Sequence, residues 1–150
     1  MQLLLRNIRV CTEKENSAPM DIRIGNGTIR AVGKNLPMEA GVREIRFEQE
    51  VFASPGWMDV GPQPGEPGFE HREDLHALAA AAAAGGFTAL APMPNTSPAV
   101  DSKSGVAYLR SKTSGEAVYF YPIGAISMGA TGKDMAELYD MHAAGAAAFS

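Results

Sequence analysis

From residue 51 onward the chain repeats one pattern: a short apolar run, a helix-length segment, then glycine. Residues 51–60 form the first run. Residues 74–84 read as a helix, with Glu73 and Asp74 at its start, where the helix dipole favours acids, and Gly85-Gly86 as its stop. Residues 87–91 form a second run. Residues 102–114 read as a second helix, stopped by Gly115, and residues 117–126 as a third strand. Residues 133–144 read as a third helix with Met135, Leu138 and His142 on one face, stopped by Gly145 before a last run at residues 146–149. Strands and helices alternating at this spacing build right-handed parallel βαβ units. The expected fold class is therefore α/β. The alanines at 79–84 read as a helix packed close to a sheet through small side chains. A parallel sheet whose last strand has no following helix is an awkward place to stop, which leads us to expect a longer chain.

The first fifty residues follow a different pattern. Residues 3–10, 21–25, 28–32, 43–47 and 51–53 read as short strands, and Asn26-Gly27 sits between two of them as a type I′ hairpin signal. The expected division is a small antiparallel β unit over residues 1–53 and an α/β part over residues 54–150.

Composition narrows the function classes. A net charge of -4 gives no basic field for nucleic acid or anionic lipid. The single cysteine, Cys11, forms no internal disulfide and fits a reducing compartment. No apolar run reaches the ~20 residues of a membrane span, and the N-terminus lacks a signal-peptide core. A soluble cytoplasmic protein is expected.

Three stretches carry a family resemblance. The first is Ser54-Pro55-Gly56-Trp57-Met58-Asp59-Val60 running into Glu66-Pro67-Gly68. The second runs from Ala80 through Thr88 into Met93-Pro94-Asn95-Thr96, and the third is Tyr121-Pro122-Ile123-Gly124-Ala125-Ile126 with the closing residues 145–150. In this order and spacing they resemble dihydroorotase of the amidohydrolase superfamily. The resemblance implies a TIM-type (β/α)8 barrel preceded by part of a composite β domain, and a site at the C-terminal ends of the barrel strands. These residues would then be the N-terminal portion, about three and a half of eight units.

The resemblance also implies a chemistry. Dihydroorotase opens or closes a cyclic amide with a zinc-bound hydroxide, since zinc lowers the pKa of water to ~7 and polarises the carbonyl. The family's first strand ends in Asp-x-His-x-His, whose alternate residues share one side of the strand. An arginine before Glu-Pro-Gly then grips the substrate carboxylate as a fork. With Asp59 and Glu66-Pro67-Gly68 fixing the register, the two histidine positions are Gly61 and Gln63 and the arginine position is Gly65. Glycine offers no ligand, and a glutamine carbonyl is a poor zinc ligand beside imidazole. No residue of the chain is therefore assigned as catalytic or as a metal ligand. Asn95, in Met-Pro-Asn-Thr, stands where the family's asparagine helps bind the substrate carboxylate, and it is assigned as substrate-binding. The family's remaining ligands and general-base aspartate lie on strands past Ser150.

Other residues do not fill the gap. His71 and His76 do not share a helix face, and Glu70, His71, Glu73 and Asp74 read as a solvated helix start. His142 reads as a packing residue. Gly129-Ala130-Thr131-Gly132-Lys133 is not a phosphate loop: the leading glycine is misplaced and Asp134 stands where Ser or Thr would hold magnesium.

Three functional readings follow. The first is a dihydroorotase-like protein that has lost the chemistry and serves as a structural partner of aspartate transcarbamoylase, a role in which noncatalytic members of the family are known, or of a second copy of itself. The second is a working cyclic amidohydrolase with a reduced zinc site. The third is an enzyme for another cyclic amide, a hydantoin or allantoin, whose lack of a carboxylate would suit the lost arginine.

Overall fold

The computed structural model describes residues 2–13 and 15–150. The chain divides into two compact units, one ending at Pro55 and the other running Gly56–Ser150.

The first unit is one four-stranded sheet. Its strands are β1 (Gln2–Val10), β2 (Met20–Gly25), β3 (Thr28–Gly33) and β4 (Arg43–Ala53), in the order β3-β2-β1-β4. Asn26-Gly27 makes the expected tight turn, with Gly25 opposite Thr28. The sheet is mixed, which corrects the expectation of a purely antiparallel unit. β1 pairs with β2 antiparallel but with β4 in parallel, because residues 34–42 carry the chain across to the far side of β1. The segments expected as two strands, 43–47 and 51–53, form one strand. Its register against β1 shifts between Arg6 and Ile8, where the Asn7 side-chain amide donates to the Phe47 carbonyl at 2.8 Å. Leu4, Ile8 and Ile22 fill the buried face. Arg6 donates to Asp21 at 2.6 Å and to the Leu36 carbonyl at 2.7 Å, which ties the connection onto the sheet.

The second unit alternates strand and helix as expected. It runs β5 (Trp57–Val60), α1 (Leu75–Ala84), β6 (Phe87–Ala91), α2 (Lys103–Lys112), β7 (Tyr119–Phe120), β8 (Ile123–Gly124), α3 (Leu138–Ala144) and β9 (Ala148–Phe149). All its strand pairs are parallel, in the orders β5-β6-β7 and β8-β9. Main-chain bonds link the two sets: Tyr121 N–H donates to Leu90 at 2.8 Å and Ile123 N–H to Pro92 at 3.1 Å.

Two strands are shorter than the sequence suggested, each for want of a donor. The run at 51–60 breaks at Ser54-Pro55-Gly56, and the run at 117–126 breaks at Pro122; proline cannot donate to a ladder. The third helix also starts later than expected, at Leu138. Residues 133–136 are held in extended pairing, with Met128 N–H bonded to the Asp134 carbonyl at 2.8 Å and Ala136 N–H to Ile126 at 2.9 Å.

Asp74 caps α1 by accepting from Ala77 N–H at 2.7 Å, and Ser102 caps α2. Ala79 and Ala82 of α1 meet Leu90 and Val118, so the alanine run does pack close to the sheet. Leu75, Val100, Val106, Leu109 and Met141 make the neighbouring core.

Candidate functional site at the strand ends

Parallel strands end on the same side, so the loops after β5, β6 and β8 gather at one end of the second unit. The loop after β5 is stitched to the next strand. Gly61 N–H donates to the Ala91 carbonyl at 3.0 Å, Met93 N–H to Pro62 at 2.9 Å, and Ser97 N–H to Pro67 at 3.0 Å.

Glu66 anchors the same loop from below. It is 7% exposed. Its Oε1 accepts from the Tyr108 hydroxyl of α2 at 2.5 Å, and its Oε2 from Leu75 N–H at the start of α1 at 3.1 Å. Lys112 Nζ lies 3.7 Å from the same carboxylate. The bond to Glu66, then burial, pushes the Tyr108 hydroxyl up to about 12.

The three positions singled out in this loop now have geometry. Gly61 has φ 110, where a side chain is strained, although a Cβ there would meet no neighbour within 4 Å. Gln63 is exposed. Gly65 is buried, and a Cβ on it would lie 2.2 Å from the Glu73 carbonyl oxygen and 2.8 Å from that of Phe69. The loop is packed backbone against backbone at the position where a carboxylate-gripping arginine would stand.

This donor set does not fit zinc. Glycine and an exposed glutamine supply no anionic or imidazole ligand. Among the described residues, no group of three or more His, Cys, Asp or Glu is placed to hold a metal ion.

The histidines lie elsewhere. His71 is exposed. His76 Nδ1 sits 3.1 Å from Glu116, whose hydrogen bond and charge raise the pKa of the imidazole. His142 is exposed on α3, so it is not the packing residue that its helix position suggested. Glu70 and Asp74 cap main-chain amides, as a solvated helix start would.

Asn95 is exposed at the end of β6 and lines an open cavity of about 500 Å³. Its neighbours there include Ser127, Lys133, Asp134 and Ser150. Asn95 lies in the loop after β6 and lines the same cavity as Lys133. Sequence reading placed Lys133 at a helix start; the structure places it in the segment before α3.

Parallel strands joined by helices, with their loops gathered at the strand ends, define an α/β protein. The dihydro-orotase-like family profile matches residues 53–150, and the chain belongs to that family. It is 37% identical over 150 residues to a dihydroorotase of Acetivibrio thermocellus, covering 99% of this chain and 35% of that protein. It is 39% identical over 155 residues to a dihydroorotase of Solibacter usitatus, covering 100% of this chain and 35% of that protein. The chain thus spans about a third of the length of these relatives. Its fold is similar to that of an L-hydantoinase from Arthrobacter aurescens, with a TM-score of 0.72, 22% identity, and coverage of 98% of this chain and 32% of the other.

Proposed function

We propose that this chain is the N-terminal portion of a dihydroorotase-like barrel protein of pyrimidine biosynthesis that has lost metal-hydroxide chemistry and acts as a structural partner of aspartate transcarbamoylase. The observation that carries the loss is the loop after β5. Gly61 and Gln63 offer no zinc ligand, and at Gly65 a Cβ would lie 2.2 Å from a main-chain oxygen. Ligand and clamp are absent from one loop whose backbone has closed over the clamp position. A homodimer in which a second copy takes the partner's place is the variant of this reading.

A second reading is a working cyclic amidohydrolase with a reduced metal site, cleaving a C–N bond with ligands from strands beyond Ser150. It is favoured by Asn95, which stands at the strand ends beside a cavity.

Turnover of dihydroorotate and carbamoyl aspartate by the protein, with added zinc, decides between them. The noncatalytic reading expects none, with an active family member turning over in parallel. Zinc-dependent turnover overturns it. Co-migration with aspartate transcarbamoylase in size-exclusion chromatography tests the partner, and a second copy is excluded if the protein runs as a monomer.

A further inference from the structure

We propose that Asn26 is a site of spontaneous covalent modification: its side-chain amide leaves as ammonia, and the acidic product loosens β3 from the sheet. Asn26-Gly27 is the tip of the β2–β3 hairpin. Of the chain's asparagines, Asn26 alone precedes glycine. Asn7, Asn16, Asn35 and Asn95 precede Ile8, Ser17, Leu36 and Thr96.

The step needs water and no other co-reactant. The main-chain nitrogen of Gly27 attacks Cγ of Asn26. A C–N bond forms, the Cγ–Nδ2 bond breaks, and the proton of the attacking nitrogen leaves with the amide as ammonia. The product is a five-membered cyclic imide. Water then opens it at Cγ to give aspartate, or at the main-chain carbonyl to give isoaspartate, in which the chain runs through the side chain.

The geometry singles out this turn. Gly27 has no Cβ to shield its nitrogen, and one built there would meet nothing within 4 Å, so the ring forms in open space. Both residues are exposed. Among the described residues, neither Gly27 N–H nor the Asn26 side-chain amide has a hydrogen-bond partner, so no such bond holds the reacting groups apart. Their φ values of 53 and 73 are those of the tight turn, and Asn26 must rotate out of it for the attack. That rotation is local. β3 is the outermost strand and pairs with β2 alone in its sheet. Ile29 and Val32 of β3 are 61% and 47% exposed, so little packing opposes fraying.

Isoaspartate adds one atom to the main chain within a two-residue turn that sets Gly25 opposite Thr28. Turn length fixes hairpin register, so the added atom disturbs the β2–β3 pairing. Either product also adds one negative charge to a chain of net charge -4.

The test is incubation of the folded protein in warm, mildly alkaline heavy-oxygen water, then trypsin digestion in ordinary water and mass spectrometry. Cleavage after Arg23 and Arg30 isolates Asn26 from the other asparagines, in the peptide 24–30. That peptide should become an acid carrying one heavy oxygen. It should separate into two isomers, one of them a substrate of isoaspartyl methyltransferase. The peptides of Asn7, Asn16, Asn35 and Asn95 should remain amides over the same time. Asn26→Gly keeps a turn that tolerates positive φ at both positions and should show no conversion in this peptide. Under brief trypsin treatment, converted wild type should be cut after Arg30 faster than Asn26→Gly. Conversion in urea but not in the folded protein overturns the site, as does conversion no faster than at the other asparagines. Equal cutting of converted wild type and Asn26→Gly overturns the loosening of β3.

Discussion

The main-chain oxygen of Glu73 lies 2.2 Å from where a Cβ on Gly65 would be. Real carbons do not approach an oxygen so closely, so this contact admits glycine alone. Gly65→Ala must push the loop off the start of α1. Overpacking of this kind costs about 1–3 kcal/mol, and a thermal or urea melt should show a loss in that range. Gly65→Arg should be at least as destabilising and should not improve carboxylate binding. Unchanged stability in Gly65→Ala would mean that the loop relaxes freely.

Restoring the histidines should not restore a zinc site. The Gly61→His, Gln63→His double variant gains two imidazoles, but the first stands at φ 110, where a side chain costs about 1–3 kcal/mol. Within residues 1–150 these two imidazoles, on a strained loop, fall short of the three ligands that a catalytic zinc needs. Metal analysis after dialysis should find no stoichiometric zinc. Stoichiometric zinc would show that the backbone at Gly61 readjusts and that later strands supply the rest.

Much of this was legible in the residues. The strand-helix alternation, the acidic start of α1, the close-packed alanines and the Asn26-Gly27 turn all follow from local chemistry. Prolines hid the true strand limits, because apolar character continues through Pro55 and Pro122 while the donors do not. The parallel pairing of β4 with β1 was not legible, since register between distant strands is set by the crossing connection. The helical pattern at 133–137 lost to the main-chain bonds of Met128 and Ala136, a tertiary contact that periodicity does not carry. That contact also places Lys133 at the strand ends. The missing histidines followed from the family resemblance; the closed space at Gly65 did not.

Tyr108 and Glu66 tie α2 to the loop after β5, and their bond should be measurable in two ways. Tyr108→Phe leaves one buried carboxylate oxygen with a weaker set of partners. Because Tyr108 is 37% exposed, the expected loss is near the low end for a charged hydrogen bond, about 1 kcal/mol. The hydroxyl pKa is raised from 10.0 to about 12 in the folded protein. A raised folded value means that this stability is present below the unfolded pKa and lost as pH rises through the folded one, the window from 10.0 to about 12. Ultraviolet titration of the 4 tyrosines should therefore show one phenolate forming late, and Tyr108→Phe should remove it. A late step that survives in Tyr108→Phe would detach the shift from this pair.

His76 gives a pH dependence of the opposite practical range. Its imidazole is raised above the ordinary 6.5, first by the hydrogen bond to Glu116 and then by that residue's charge. The folded state holds the proton more tightly than the unfolded one, so the contribution is present below the unfolded pKa and disappears as pH rises through the folded one. The pair is solvent-exposed on the histidine side, so the effect is small and screened by salt. Wild type should melt above His76→Gln at about pH 5.5 and level with it in mildly alkaline buffer, and the difference should shrink in high salt. Glu116→Gln should abolish it while leaving the caps of α1 intact. A difference that is independent of pH would assign His76 to packing against α1 rather than to its charge.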